Sequence, residues 1–153
     1  MSTHGLVQAT SPAQGVRLIT FTRPEKRNAL SRQLLDEFLV ELEAASTDPA
    51  VQAIVITGTG TFFSAGADLK DIADLDSAGA RSCRYLENLC VGMTAVRKPL
   101  IAAVNGPALG GGFEVALMVR EEEKSYLYPV PDAAANPTVL GRLRRVGIQP
   151  PCG

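Results

Sequence analysis

Leu100-Ile101-Ala102-Ala103-Val104-Asn105-Gly106-Pro107-Ala108-Leu109-Gly110-Gly111-Gly112-Phe113-Glu114 joins an apolar, strand-like run to a glycine-rich loop and then to a helix-like stretch. An earlier segment repeats the pattern: Val51-Gln52-Ala53-Ile54-Val55-Ile56-Thr57, followed by Phe62-Phe63-Ser64-Ala65-Gly66-Ala67-Asp68-Leu69-Lys70. The run Val51–Thr57 reads as a buried strand, of a kind that parallel and other buried sheets share. Leu100–Val104 reads as a second strand, and each leads through a glycine loop into a helix, as in an α/β domain. A helix N-terminus carries unpaired backbone N–H groups and a partial positive charge. Two such ends converging on one point make a pocket for a developing oxyanion. Glu114 lies three residues after Gly111, about one helical turn along, where a carboxylate can serve as a base. The constellation points to chemistry on a carbonyl.

At 153 residues the chain is long enough for one domain with a real core. Its 46% hydrophobic and 20% charged content places it among globular rather than disordered sequences. A net charge of −1 gives no general attraction to nucleic acid or to anionic lipid, and neither is expected as a partner. The three cysteines, Cys83, Cys90 and Cys152, lack metal-ligand spacing and read as free thiols in a reducing compartment. The single histidine, His4, stands in a polar N-terminal segment, which argues against Ser-His-Asp, Cys-His and zinc chemistry. No metal site is expected. No stretch has the length of a membrane span and no targeting signal is visible; an intracellular protein is expected, with cytosol, peroxisome and mitochondrion all open.

Residues 1–15 read as an N-terminal tail leading into a strand over Gly15–Thr22, which Pro24 ends. Ser31 is the expected cap of a helix to about Ser46, with Leu34, Leu35, Phe38, Leu39 and Leu42 at helical spacing. A short helix is expected from about Asp68, and a longer one from Ala78 to about Val96, ended by Pro99. The last helix begins at Gly111 and runs through Met118. Beyond it stand the charge run Arg120-Glu121-Glu122-Glu123-Lys124 and five prolines between Pro129 and Pro151. Residues 119–153 therefore read as a divergent, disordered tail.

Three segments in order resemble the crotonase family, the enoyl-CoA hydratases and isomerases. They are Arg23-Pro24-Glu25-Lys26-Arg27-Asn28-Ala29-Leu30, the Phe63–Lys70 loop, and the segment from Lys98-Pro99 to Glu114. The resemblance covers about Val16 to Met118. It implies an incomplete crotonase-like spiral of ββα units that binds acyl-CoA thioesters as substrate, with no further cofactor. By motif position, the amides of Ala67 and Gly111 would form the oxyanion hole and Glu114 would be the catalytic carboxylate. Ala65, Gly66, Asp68, Lys70 and Gly110 would line the substrate, with Ala65 along the adenine and Lys70 toward the phosphates. The implied reaction is water addition to a trans-2-enoyl-CoA, with the one-base isomerase reaction as the alternative.

The family's hydratases carry a second glutamate about twenty residues after the first, where this sequence has Ala134 within Ala133-Ala134-Ala135-Asn136-Pro137. The later helices, which help close the acyl pocket and build the family's homotrimers or hexamers, have no counterpart here. A product truncated by a frameshift or an unspliced intron near Val119 is expected, weakly active or inactive. A non-catalytic remnant that binds CoA or other subunits is the further alternative.

Overall fold

The computed structural model describes residues 5–73, 83–119 and 127–129. They build a five-stranded sheet in spatial order β1-β2-β3-β4-β5, from Val7–Ala13, Val16–Phe21, Ala53–Gly58, Leu100–Val104 and Leu127–Pro129. Strands β1 and β2 form an antiparallel hairpin, and β2 to β5 run parallel to one another. Parallel neighbours need crossovers. Helix α1 (Arg32–Thr47) lies between β2 and β3; α2 (Leu69–Ala73) and α3 (Cys83–Ala95) lie between β3 and β4. Helix α4 (Gly111–Leu117) follows β4.

Alternation along the strands gives the sheet two apolar faces. Ile19, Phe21, Ile54, Ile56, Leu100 and Ala102 face a core shared with Leu34, Leu35, Phe38 and Leu42 of α1, Leu89 and Met93 of α3, and Val115 and Ala116 of α4. Val16, Leu18, Ala53, Val55, Ile101 and Ala103 form the opposite, smaller cluster. Phe21 sits between two edge-on aromatic rings, Phe38 at 5.4 Å and Phe63 at 5.8 Å, and so ties β2 to α1 and to the loop after β3.

The ends of α1 are fixed from outside the helix as well as within it. Ser31 Oγ accepts the Leu34 N–H at 3.2 Å. At the other end the Lys98 ammonium donates to the carbonyls of Ala45 and Asp48, a cation against the negative end of the helix. That contact also joins the C-terminus of α1 to the entry of β4.

Two expectations are corrected. The tail read over residues 1–15 contains β1: Val7 pairs with Phe21 and Ala13 with Val16, and Glu37 Oε2 of α1 accepts the Leu6 and Val7 N–H groups. This segment is polar, so its strand character comes from its partners. The boundary at Met118 is also too early. Val119 is buried in the core, and Leu127–Pro129 pair with Ala102, Ala103 and Val104 of β4. The remaining expectations for the tail, with residues 78–82 of the longer helix, fall outside the described residues.

Phe38 is fully buried against Phe21. Truncation of a buried phenylalanine typically costs about 3–5 kcal/mol. Urea unfolding of Phe38→Ala is expected to show a loss of that order; a loss below about 1 kcal/mol would contradict the packing described.

Candidate functional site

The site stands where the chain leaves the C-terminal ends of β3 and β4. The parallel register Ile54↔Leu100, Val55↔Ile101 and Ile56↔Ala102 sends both loops out at the same edge of the sheet. There the loops pair with each other. Ser64 N–H donates to the Pro107 carbonyl at 3.3 Å, and Leu109 N–H donates to the Ser64 carbonyl at 2.9 Å. The first loop pairs on its other side with the segment before α1: Leu30 N–H reaches the Gly66 carbonyl at 2.7 Å, and Asp68 N–H reaches the Leu30 carbonyl at 3.2 Å.

This second pairing decides which way Ala67 faces. In a parallel bridge the residue opposite the doubly bonded one turns its own N–H and C=O away from its partner. Leu30 is doubly bonded, so the Ala67 amide turns away from Leu30 and toward α4. A Cβ placed on Gly111 would stand 3.8 Å from the Ala67 nitrogen, and one on Gly66 would stand 3.2 Å from the Gly111 nitrogen. Neither the Ala67 nor the Gly111 N–H has an acceptor among the described residues. Two free amide donors thus lie side by side. Gly66 has φ +90°, and a Cβ there would press to 2.6 Å on the Leu109 carbonyl oxygen, so only glycine fits.

The other sequence-named residues are distributed around this pair. Glu114 is exposed on the first turn of α4, with its amide on the Gly110 carbonyl. Residues three apart share a helix face, so it stands one turn above Gly111. Gly110, at φ +47°, borders open space. Ala65 is half-buried and donates its N–H to the Arg27 carbonyl at 2.9 Å. Lys70 is exposed on α2.

Asp68, expected along the substrate, has internal partners. It is buried, its Oδ2 lies 2.5 Å from Arg23 Nη1, and its Oδ1 accepts the Lys70 N–H at 3.0 Å. The Arg23 guanidinium and the Lys70 amide together hold its carboxyl below the ordinary value. Asp68 therefore fastens the end of the loop to the Arg23 turn. Arg23, Asn28, Ser64 and Asn105, which the sequence reading quoted within motifs but assigned no role, supply the rest of that internal network.

No group of three or more His, Cys, Asp or Glu side chains among the described residues could hold a metal. Within the same residues no helix is long and apolar enough to cross a membrane. Cys90 is a free, exposed thiol, and the Cys83 and Cys152 side chains lie outside the described residues.

A parallel sheet that delivers two paired glycine loops to one edge, with two free amides between them, is the frame of a crotonase-like α/β fold. The chain belongs to the enoyl-CoA hydratase/isomerase family, whose sequence model matches residues 11–120. Over 108 residues it is 48% identical to 2,3-dehydroadipyl-CoA hydratase of Escherichia coli (strain K12), covering 71% of this chain and 42% of that protein. It is 42% identical over 108 residues to 4-chlorobenzoyl coenzyme A dehalogenase-2 of an Arthrobacter species, covering 67% of this chain and 39% of that protein. The crystal structure of an enoyl-CoA hydratase subunit from Geobacillus kaustophilus HTA426 superposes with a TM-score of 0.68 at 39% identity, over 74% of this chain and 43% of that one. The chain spans about two-fifths of the length of the curated relatives it matches.

The ordinary Asp value is 3.8, and folding lowers it, so the unfolded chain binds this proton more readily than the folded one. The stabilisation is complete above the unfolded value and is lost as pH falls through the lower, folded one. Below about pH 4, Asp68→Asn is expected to lose stability on acidification less steeply than the wild type, while being less stable at neutral pH. Parallel acid limbs for the two proteins in denaturant titrations would remove the ion pair from this account.

Proposed function

We propose that the chain binds an acyl-CoA thioester with its carbonyl oxygen between the Ala67 and Gly111 amides, and that the chemistry served is hydration of a trans-2-enoyl-CoA. The observation that carries the reading is the adjacency of two backbone donors without acceptors among the described residues. Ala67 and Gly111 are half-buried, so both donors are screened from bulk water on one side and open to a ligand on the other; polar groups so placed usually find a partner. Both are rigidly held, one by the Leu30 bridge and one by the first turn of α4. A pre-oriented donor of this kind is worth about 3 kcal/mol to a developing oxyanion.

In the proposed sequence, Glu114 takes a proton from water as the oxygen attacks Cβ of the enoyl group. The electron pair of the Cα–Cβ double bond moves to the thioester carbonyl, and the enolate oxygen rests on Ala67 and Gly111. Return of the proton from Glu114 to Cα completes the addition and restores the carboxylate; the family position for a second acid aligns near Ala134, which carries no transferable proton. Ala65, Gly66 and Gly110 leave the backbone open to the thioester, and Lys70 is free to meet a phosphate. The name of the Escherichia coli relative supports hydration over isomerisation. An intracellular setting belongs to the same proposal.

Hydration is measured by loss of enoyl absorbance with crotonyl-CoA, and binding by calorimetry. A positioned general base contributes about 10²–10⁴-fold, so Glu114→Gln is expected to lower the rate by that order while leaving binding nearly unchanged. Failure of the 153-residue chain to bind crotonyl-CoA, or an unchanged rate in the variant, would overturn the assignment.

A further inference from the structure

Resting on the proposed thioester site, we infer that Asn28 is a positioning residue that sets the direction of the Ala67 amide. Asn28 is fully buried and left-handed, with φ +52°, in the turn before α1. Its side chain meets the loop after β3 at two carbonyls: Nδ2 donates to Thr59 at 2.9 Å and to Phe62 at 2.8 Å. Its Oδ1 accepts the Arg23 N–H at 3.0 Å, which closes the turn on itself. Its own carbonyl accepts Ser64 Oγ at 2.8 Å, and that hydroxyl in turn accepts the Gly66 N–H at 3.2 Å.

One asparagine thus grips the loop before and after Phe63, and the relay through Ser64 ends on the residue that precedes Ala67. From the other side Asn105, at the end of β4, donates to the same Phe62 carbonyl at 3.3 Å and to the Gly60 carbonyl at 3.0 Å. The Phe62 carbonyl is therefore a fixed point between the Asn28 turn and the loop that carries Gly111. Donor direction matters steeply for a hydrogen bond, so rotation of the Ala67 peptide plane would weaken the polarisation of a bound carbonyl without removing the donor. Asn28 touches neither substrate nor reacting atoms in this arrangement; it acts through the loop.

The test uses the full chain and butyryl-CoA labelled with ¹³C at the thioester carbonyl, which has no double bond to hydrate. Infrared difference spectra read the carbonyl stretch of the bound probe, which moves to lower wavenumber as the carbonyl is polarised. Asn28→Gly keeps the left-handed backbone free of strain and deletes the amide. It is expected to lose most of the wild-type shift while calorimetry still reports binding of free coenzyme A. Ser64→Ala, which removes the link between the Asn28 carbonyl and the Gly66 N–H and keeps the Asn28 side chain in place, is expected to lose part of the shift, and it decides the question if Asn28→Gly does not fold. Lys98→Met weakens the cap of α1 far from the site; it is expected to lower the melting temperature and leave the shift intact. A full shift in Asn28→Gly, or in Ser64→Ala where that variant decides, overturns the positioning role. So does a shift lost equally in Lys98→Met, which would tie the band to stability alone. A wild-type band that stays at its free position overturns the thioester reading itself, an outcome visible before any variant is compared.

Discussion

Everything at the site depends on how closely two loop backbones approach. A Cβ on Gly66 would meet the Leu109 carbonyl oxygen, and one on Gly112 would stand 2.6 Å from the Ser64 carbonyl oxygen. With side chains excluded from the crossing, backbone faces backbone, and most polar groups there find each other. Among the described residues, the Ala67 and Gly111 amides lie at the crossing without such a partner. The parallel pairing of β3 with β4 is what brings the loops out together, which is why open α/β sheets place ligands beyond the carboxyl ends of their strands.

The loops are held by polar contacts, and these depend on the apolar core beneath. Phe63 is fully buried against Phe21, so the middle of the loop is part of the core and its flanks are free to form hydrogen bonds. Asn28, Ser64 and Asp68 are buried as well, and each is satisfied. Such a network is rigid because losing one partner strands another group without water. The Arg23–Asp68 pair follows the same logic. Removing one partner leaves a charge facing low-dielectric surroundings, and that penalty exceeds the modest net gain from forming the pair.

Much of this was legible in sequence because it follows period and punctuation. The unbroken apolar runs around Ile54 and Ile101 gave the parallel strands, and the Leu34–Leu42 spacing with Ser31 gave α1. Gly66 and Gly111 marked the loops whose amides the structure sets side by side. What the sequence could not show is what depends on partners far along the chain. Strand β1 reads Val-Gln-Ala-Thr-Ser-Pro-Ala, with no run to betray it, and exists through β2 and Glu37. The pairing of Asp68 with Arg23 spans 45 positions and leaves no local mark in the sequence. The one available clue to the role of Asn28 was its type, since asparagine tolerates the left-handed turn it occupies.

The frame also separates recognition from the choice of reaction. Relatives named as a hydratase and as a dehalogenase each match this chain across about two-thirds or more of its length, at 48% and 42% identity. Both names contain a coenzyme A thioester, and under the proposed reading the pair of amides in this chain would polarise any carbonyl placed between them. Backbone donors carry no information about the acyl group beyond that oxygen. On that reading, selection of water, proton or leaving group falls to side chains on the acyl side, for which Glu114, on the first turn of the helix that Gly111 opens, is the candidate. A carboxylate that is exposed and free of internal hydrogen bonds among the described residues is able to serve a reacting group, whereas Asp68, next in sequence to Ala67, is already committed to Arg23. The two acids differ by burial: the enclosed one holds the loop, and the open one is left without a structural task among the described residues, which is the ground for proposing it as the base.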